Sequence, residues 1–266
     1  MPPKTFVINL DRATARLEAI ASQLDAIGLS FNRIAAVDGR ALDSDSLKRL
    51  APDPRSRPQA RRLTPGEIGC LASHRDAWQE LVDSRVPWGF ILEDDAILGP
   101  RAPDALEVFA NQTFFDLVKL EGITYKARHN FGAEMVAGPP AIYLMETVSG
   151  GTAAYALTRL GAQKLLRITA PMNREVDRFI RAYGLTDLVV GEFRPFPAQQ
   201  DRAESYVGGA RLSRPPAPLP DRLVRGLLKA RSSLTRRLRC KHLLGGKPLV
   251  AVTMEGSSPS VFGSEI

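Results

Sequence analysis

The chain has 266 residues, 44% hydrophobic and 24% charged, and 36 Lys+Arg against 29 Asp+Glu give a formal charge of +7. That length allows one large α/β domain or two small ones, and the apolar content supports a core without disulfides or metal. The ordinary charge content excludes wholesale disorder. Cys70 and Cys240 form no CxxC pair, which excludes the common zinc and redox motifs, so both are read as reduced thiols of a cytoplasmic protein. The N-terminal stretch meets Asp11 and Arg12 before any apolar h-region, unlike a signal peptide. No run approaches the ~18 apolar residues of a membrane span.

In chain order, residues 5–10 (TFVINL) read as a buried strand. Helix 12–28 follows, with Leu17, Ile20, Leu24 and Ile27 on one apolar stripe and Gly28 as its stop. Residues 30–37 form a second strand, ended by the Asp38-Gly39 turn, and strand–helix–strand predicts a parallel sheet. Segment 52–62, with three prolines and four arginines, reads as an exposed loop. Thr64-Pro65-Gly66-Glu67 then carries a capping box with proline at the first helical position, opening a helix to about Val82. Strand 88–92 stops abruptly at Glu93-Asp94-Asp95. Strands at 115–120 and 152–157 follow, then a helix over 158–168 capped by Thr158, a helix near 174–183 and a strand near 187–193. Beyond residue 210 come a proline-rich linker (214–220), an Arg/Lys-rich stretch and a Gly/Ser-rich end, which divides the chain into 1–210 and 211–266.

Three adjacent carboxylates are costly unless a cation sits among them. In an extended chain Glu93 and Asp95 share a side while Asp94 faces away. Two hard oxygen ligands at the carboxyl end of a strand suit Mg²⁺ or Mn²⁺ together with substrate phosphates. The plainer reading is a solvated acidic loop.

The blocks VINLDRATAR, AAVDG, LTPGEIGCLASH, FILEDDAIL, DLVKL and TAAYALT, in this order, resemble glycosyltransferase family 25 over about residues 5–205. The most specific pieces run from Gly66 to His74 and from Ile91 to Asp95. The resemblance implies an α/β, GT-A-like (Rossmann-like) fold with a mixed, mostly parallel sheet flanked by helices. It also implies a UDP-sugar donor, galactose foremost, inversion at the anomeric carbon, and a divalent metal, Mn²⁺ or Mg²⁺. On that view Asp95 and then Glu93 contact the metal, and Asp94 meets ribose or donor sugar. Val176-Asp177 matches a family "VD" element and makes Asp177 the leading general base, with Glu121 behind it. Alternatively, Asp177 is a surface carboxylate near Arg174 and Arg178. Asn9 and Arg16 match an N-terminal N-L…R pattern and are assigned to the nucleotide, with Asp38 on uracil or ribose. Otherwise Asp38-Gly39 is turn chemistry and Arg16 a solvated helix residue. His74 shares a helix face with Glu67 and is carried as a site residue, lining or bracing the centre beside Ser73. Gly150-Gly151 either admits a substrate or makes a plain turn, and Tyr155 reads as core.

The charge is localised: residues 211–266 hold 11 Lys+Arg and three acids, a net +8, and residues 1–210 carry −1. Leu223, Leu227, Leu234 and Leu238 form an apolar stripe interrupted by Arg231, so the segment around 220–241 reads as a basic helix for an anionic membrane surface, a docked helix or a solvated tail. The expected partners are a UDP-sugar and a glycolipid or oligosaccharide acceptor of the lipopolysaccharide class. A nucleotide-sugar binder without turnover is the alternative. Nucleic acid binding is disfavoured, because residues 211–247 contain no Phe, Tyr or Trp to stack on bases.

Overall fold

A computed structural model describes residues 3–52, 63–122, 130–170, 172–201, 219–253 and 256–257. The loop expected at 52–62 and the linker at 214–220 lie almost wholly outside these residues. The chain opens with β1 (Lys4–Asn9), α1 (Thr14–Ala26) and β2 (Phe31–Ala35), and β1 pairs parallel with β2. After the short helix α2 (Ser44–Leu50), capped by Asp43, comes α3 (Pro65–Asp83), which returns the chain to β3 (Trp88–Glu93), parallel to β1 on its other side. β4 (Ala96–Leu98), α4 (Ala102–Ala110), β5 (Leu117–Lys119), β6 (Asn130–Val136), β7 (Ala141–Met145) and β8 (Ala154–Thr158) follow. The remaining elements are α5 (Arg159–Ile168), α6 (Val176–Arg181), β9 (Val190–Arg194), β10 (Ala198–Gln200), α7 (Leu219–Leu244), β11 (Val250–Thr253) and β12 (Gly256–Ser257).

Among the described residues, ten strands form one sheet in the order β12-β11-β6-β7-β9-β5-β8-β3-β1-β2. β2, β1 and β3 are parallel, as are β5 and β9, while β8 is inserted antiparallel between β3 and β5. The architecture is the α/β mixed sheet flanked by helices that the sequence leads one to expect. Successive strand residues face opposite sides of a sheet, and here both sides are covered. Phe6, Ile8, Ile91, Leu117 and Leu157 pack into one core with Leu71 and Trp78 of α3 and Leu165 of α5. Val7, Phe90, Leu92 and Val118 pack into the other with Ile20 and Leu24 of α1, Phe109 of α4, and Cys240 and Leu244 of α7.

The capping box at the start of α3 is present: Thr64 Oγ1 accepts from the Glu67 amide and Glu67 Oε2 accepts from the Thr64 amide. This end of α3 lies backbone to backbone on the turn after β2. A Cβ on Gly69 would sit 2.4 Å from the Val37 carbonyl oxygen, so only glycine permits the approach. Ser73 Oγ, one turn on, accepts from the Val37 amide (2.8 Å) and donates to the Gly69 carbonyl (2.7 Å). The GEIGC and VDG blocks are thus two halves of one contact.

The sequence reading passes over α2, α4 and the β6–β7 hairpin. β7 (AIYLM) is a short, wholly buried run, for which periodicity gives no signal. β11 pairs with β6, so residues beyond 210 contribute to the main sheet. Both cysteines are free thiols. No helix among the described residues is long and apolar enough to cross a membrane.

Candidate active site

The carboxyl ends of β1, β2 and β3 lie side by side and present Asn9, the Asp38 turn and Glu93-Asp94-Asp95. β3 ends at Glu93, and each of the three acids has different surroundings. Glu93 Oε1 accepts from Thr152 Oγ1 (2.6 Å) and lies 3.2 Å from His74 Nε2. Both contacts use Oε1, and Oε2 has no hydrogen-bond partner among the described residues. Asp94 turns the other way: Oδ2 accepts from Asn9 Nδ2 (2.7 Å) and Oδ1 from Arg16 Nη1 (3.3 Å). Asp95 Oδ2 accepts from Gln200 Nε2 (3.1 Å), and Asp95 Oδ1 is buried with no partner among the described residues. Gln200 arrives there because β10 pairs antiparallel with β4, placing it opposite Ala96.

The electrostatics follow from this arrangement. Burial and the neighbouring Glu93 charge push the Asp95 carboxyl up to about 7. Burial also raises Asp94, partly offset by Asn9 and Arg16. Burial works against ionised Glu93 too, but the hydrogen bond from His74, its charge when the ring is protonated, the Thr152 hydrogen bond and the Lys119 charge outweigh it, and its carboxyl lies below the usual range. One oxygen of Glu93 and one of Asp95 therefore lack donors inside an acidic cluster. Of the two, Asp95 Oδ1 is the buried one, and a buried carboxylate oxygen without a partner is costly once ionised unless a cation meets it. The donor set, carboxylate oxygens only, fits a hard divalent ion.

Proton counting fixes His74. Tyr155 Oη accepts from Trp78 Nε1 (2.8 Å) and lies 2.8 Å from His74 Nδ1. Burial pushes the phenol far above its usual range, so it keeps its proton, and His74 Nδ1 is the acceptor available for it. His74 then carries its hydrogen on Nε2 and donates it to Glu93. Tyr155, expected as core, is core with a polar task. Replacing it with phenylalanine strands the Trp78 donor and the His74 acceptor; denaturant titration is expected to show a loss of about 1–3 kcal/mol.

Glu121 follows β5 and is buried; its Oε1 accepts from the Ala153 amide (3.1 Å) and lies 3.7 Å from Lys119 Nζ. Burial raises its carboxyl, with Lys119 opposing. Lys119, fully buried, also donates to the Ser149 and Gly150 carbonyls, and Glu192 receives the Ser149 amide and hydroxyl. Gly151 has φ +87°, and a Cβ on it would lie 2.6 Å from Glu121 Oε2, so the Gly-Gly pair serves the tight passage of this loop over a buried carboxylate. Thr152, which grips Glu93, follows directly.

Asp177 stands on α6. The charges of Glu93, Asp177, Asp95 and Glu67 all act on the Cys70 thiol. Burial first, then those charges, push Cys70 far up, so it stays a thiol. Arg178 pairs with Glu175 and Arg174 lies over the Phe179 ring; Asp177 itself has no hydrogen-bond or ion-pair partner among the described residues. Cys70, His74 and Glu93 also bring potential ligand atoms within 4.8 Å of one another. In the present arrangement, however, both nitrogens of His74 are engaged and the thiol is protonated. Asp38 pairs with Arg12 and accepts from the Arg40 amide, so it holds the turn and a neighbouring arginine together.

The structure thus joins Asn9 and Arg16 to Asp94 on one side of the strand ends and His74 to Glu93 on the other, next to Asp95, while Asp177 stands on α6, whose apolar side packs into the core with α3. Sequence reasoning missed Gln200, Thr152, Lys119 and Glu192. Lys119 has a readable signal, a cation inside the apolar run FDLVKL. Gln200 has none, because only strand pairing brings it near.

Residues 2–180 match the model of "Glycosyltransferase family 25 (LPS biosynthesis protein)". The rat protein named "Probable inactive glycosyltransferase 25 family member 3" is 32% identical over 194 residues, covering 66% of this chain and 32% of that protein. The zebrafish "Procollagen galactosyltransferase 1" is 31% identical over 191 residues, covering 66% of this chain and 30% of that protein. The chain spans about a third of the length of the curated relatives it matches. A solved glycosyltransferase involved in glycosylation of the major capsid of PBCV-1 aligns with 77% of this chain and 95% of its own at 9% identity and TM-score 0.44, a distant likeness. With a family model spanning the strand ends and all three acids, this chain belongs to glycosyltransferase family 25.

Proposed function

We propose that the chain is an inverting, metal-dependent glycosyltransferase that moves a hexose, galactose foremost, from a UDP-sugar to a lipopolysaccharide, lipooligosaccharide or related surface glycan. The observation that carries this reading is the pair of donor-free carboxylate oxygens, Asp95 Oδ1 and Glu93 Oε2, at the carboxyl end of β3. Asp95 and Glu93 would hold a divalent ion, Mn²⁺ or Mg²⁺, whose chemistry when bound is to neutralise the diphosphate leaving group. His74, held by Tyr155, keeps Glu93 ionised and aimed. Asn9 and Arg16 fix Asp94 at the end of β1, where the nucleotide is received. Asp177 takes the proton of the acceptor hydroxyl as its oxygen bonds the anomeric carbon, while the bond from that carbon to the diphosphate breaks and UDP leaves with the electron pair. Asp177 is preferred to Glu121, whose carboxylate is buried under the Gly151 loop.

The test is a screen of UDP-sugars for UDP release with Mn²⁺ present, run beside thermal-shift measurements on the same donors. UDP release from one UDP-hexose, accelerated by a glycan acceptor, is the expected result; no release and no thermal shift with any donor would overturn the proposal. A second reading, donor binding without turnover, is favoured by the relatives named inactive, including the rat and human members 3. A thermal shift without UDP release would select it.

A further inference from the structure

The basic C-terminal segment carries a surface that the proposed transfer does not use. α7 runs unbroken from Leu219 to Leu244. Its inner side docks through Cys240 and Leu244, both buried in the core that also holds Val118 and Leu144. Close packing of Arg236 on Gly184, in the 3-10 turn Tyr183–Leu185, adds to the anchorage, and Arg237 pairs with Glu146. Docking on that side leaves Leu234 and Leu238 outward, each 59% exposed. They lie one turn apart, with exposed Arg231 and Lys241 beside them on the same face. Neither cation has an ion-pair partner among the described residues.

An apolar pair framed by cations on a fixed helix face has the chemistry of an interfacial contact. Leucines enter the acyl boundary, and arginine and lysine meet anionic headgroups. The charge complementarity is segmental, since residues 211–266 carry +8 while residues 1–210 carry −1. A nucleic-acid surface would place aromatics among the cations, and the exposed hydrophobic side chains of this face are leucines. We infer that the outer face of the C-terminal part of α7 is a docking surface for an anionic lipid bilayer.

The full chain is to be sedimented with phosphatidylcholine vesicles and with vesicles containing roughly 30% phosphatidylglycerol. Binding to the anionic vesicles, little binding to the neutral ones, and loss of binding as salt rises are expected. Leu234→Ser with Leu238→Ser, and separately Arg231→Glu with Lys241→Glu, should each weaken binding about tenfold or more, because apolar insertion and charge attraction add in such contacts. These exposed positions lie outside the core, so unchanged circular dichroism and an unchanged donor thermal shift are expected of both variants. Equal binding to both vesicle types, no binding to either, wild-type binding by both variants, or capture by single-stranded RNA in place of vesicles would overturn the inference. The readout needs no turnover, so it fails or succeeds independently of the proposed transfer.

Discussion

Asp95→Asn is expected to abolish most Mn²⁺-dependent UDP release, by about a thousandfold, while making the folded chain more stable in chelator. The first effect would be the loss of a carboxylate ligand from the proposed metal site, whose ion would supply several kcal/mol of transition-state charge stabilisation. The second follows from burial. The Asp95 carboxyl is raised to about 7 in the fold, against an ordinary value near 3.8 when exposed. The folded state therefore holds this proton more tightly than the unfolded chain. Stability contributed by the group is present at low pH, falls as pH rises between the two values, and is a full cost above the upper one. The asparagine variant carries no such cost. Its advantage should be small near pH 4 and reach about 2–4 kcal/mol near pH 8, since every tenfold difference in proton affinity between the two states corresponds to ~1.4 kcal/mol. Thermal unfolding in EDTA at the two pH values measures this. A variant that loses activity and is also less stable at pH 8 would show Asp95 to be a structural carboxylate.

Asp177→Asn is expected to lower kcat for acceptor glycosylation by about 10²–10⁴, the usual range for removing a general base. KM for the donor should change little, because Asp177 stands on α6 and the proposed donor side lies at the ends of β1 and β3. Slow hydrolysis of the donor by water should survive better than transfer, since that background does not depend on a positioned acceptor hydroxyl. Stability should be unaffected: Asp177 is partly exposed and has no hydrogen-bond or ion-pair partner among the described residues. Steady-state kinetics with donor and acceptor varied separately check each part. Equal losses in transfer and hydrolysis would move the base elsewhere, with Glu121 next in line.

How far each carboxylate could be read in advance differs. That Glu93, Asp94 and Asp95 form a cluster at a strand end was legible, because an apolar run of five residues followed by three acids can be little else. That Asp94 faces away from the other two was also legible from strand alternation, although the chain has left the strand by then. The capping box of Thr64 and Glu67 announced α3, since it is a contact between residues three apart and needs no tertiary structure. Gly39 and Gly69, by contrast, read as a turn and a helix residue, and only their mutual contact explains both. The Val176-Asp177 pattern marks Asp177 in the sequence, yet where α6 sits depends on Val176, Phe179 and Ile180 packing against α3.

The net charge of +7 divides in the same way. By itself the sequence determined that the excess lies beyond residue 210, that four leucines share one stripe there, and that the rest of the chain is nearly neutral. Composition and local spacing are enough for that, because charge and helical period are properties of neighbouring residues. Only the tertiary structure decided which side of α7 is buried and which faces out, since that depends on Cys240 and Leu244 finding a core built from strands a hundred residues away. It likewise left Asp95 Oδ1 without a donor. Whether a buried oxygen has a partner depends on every segment that reaches it, and no stretch of sequence contains that information.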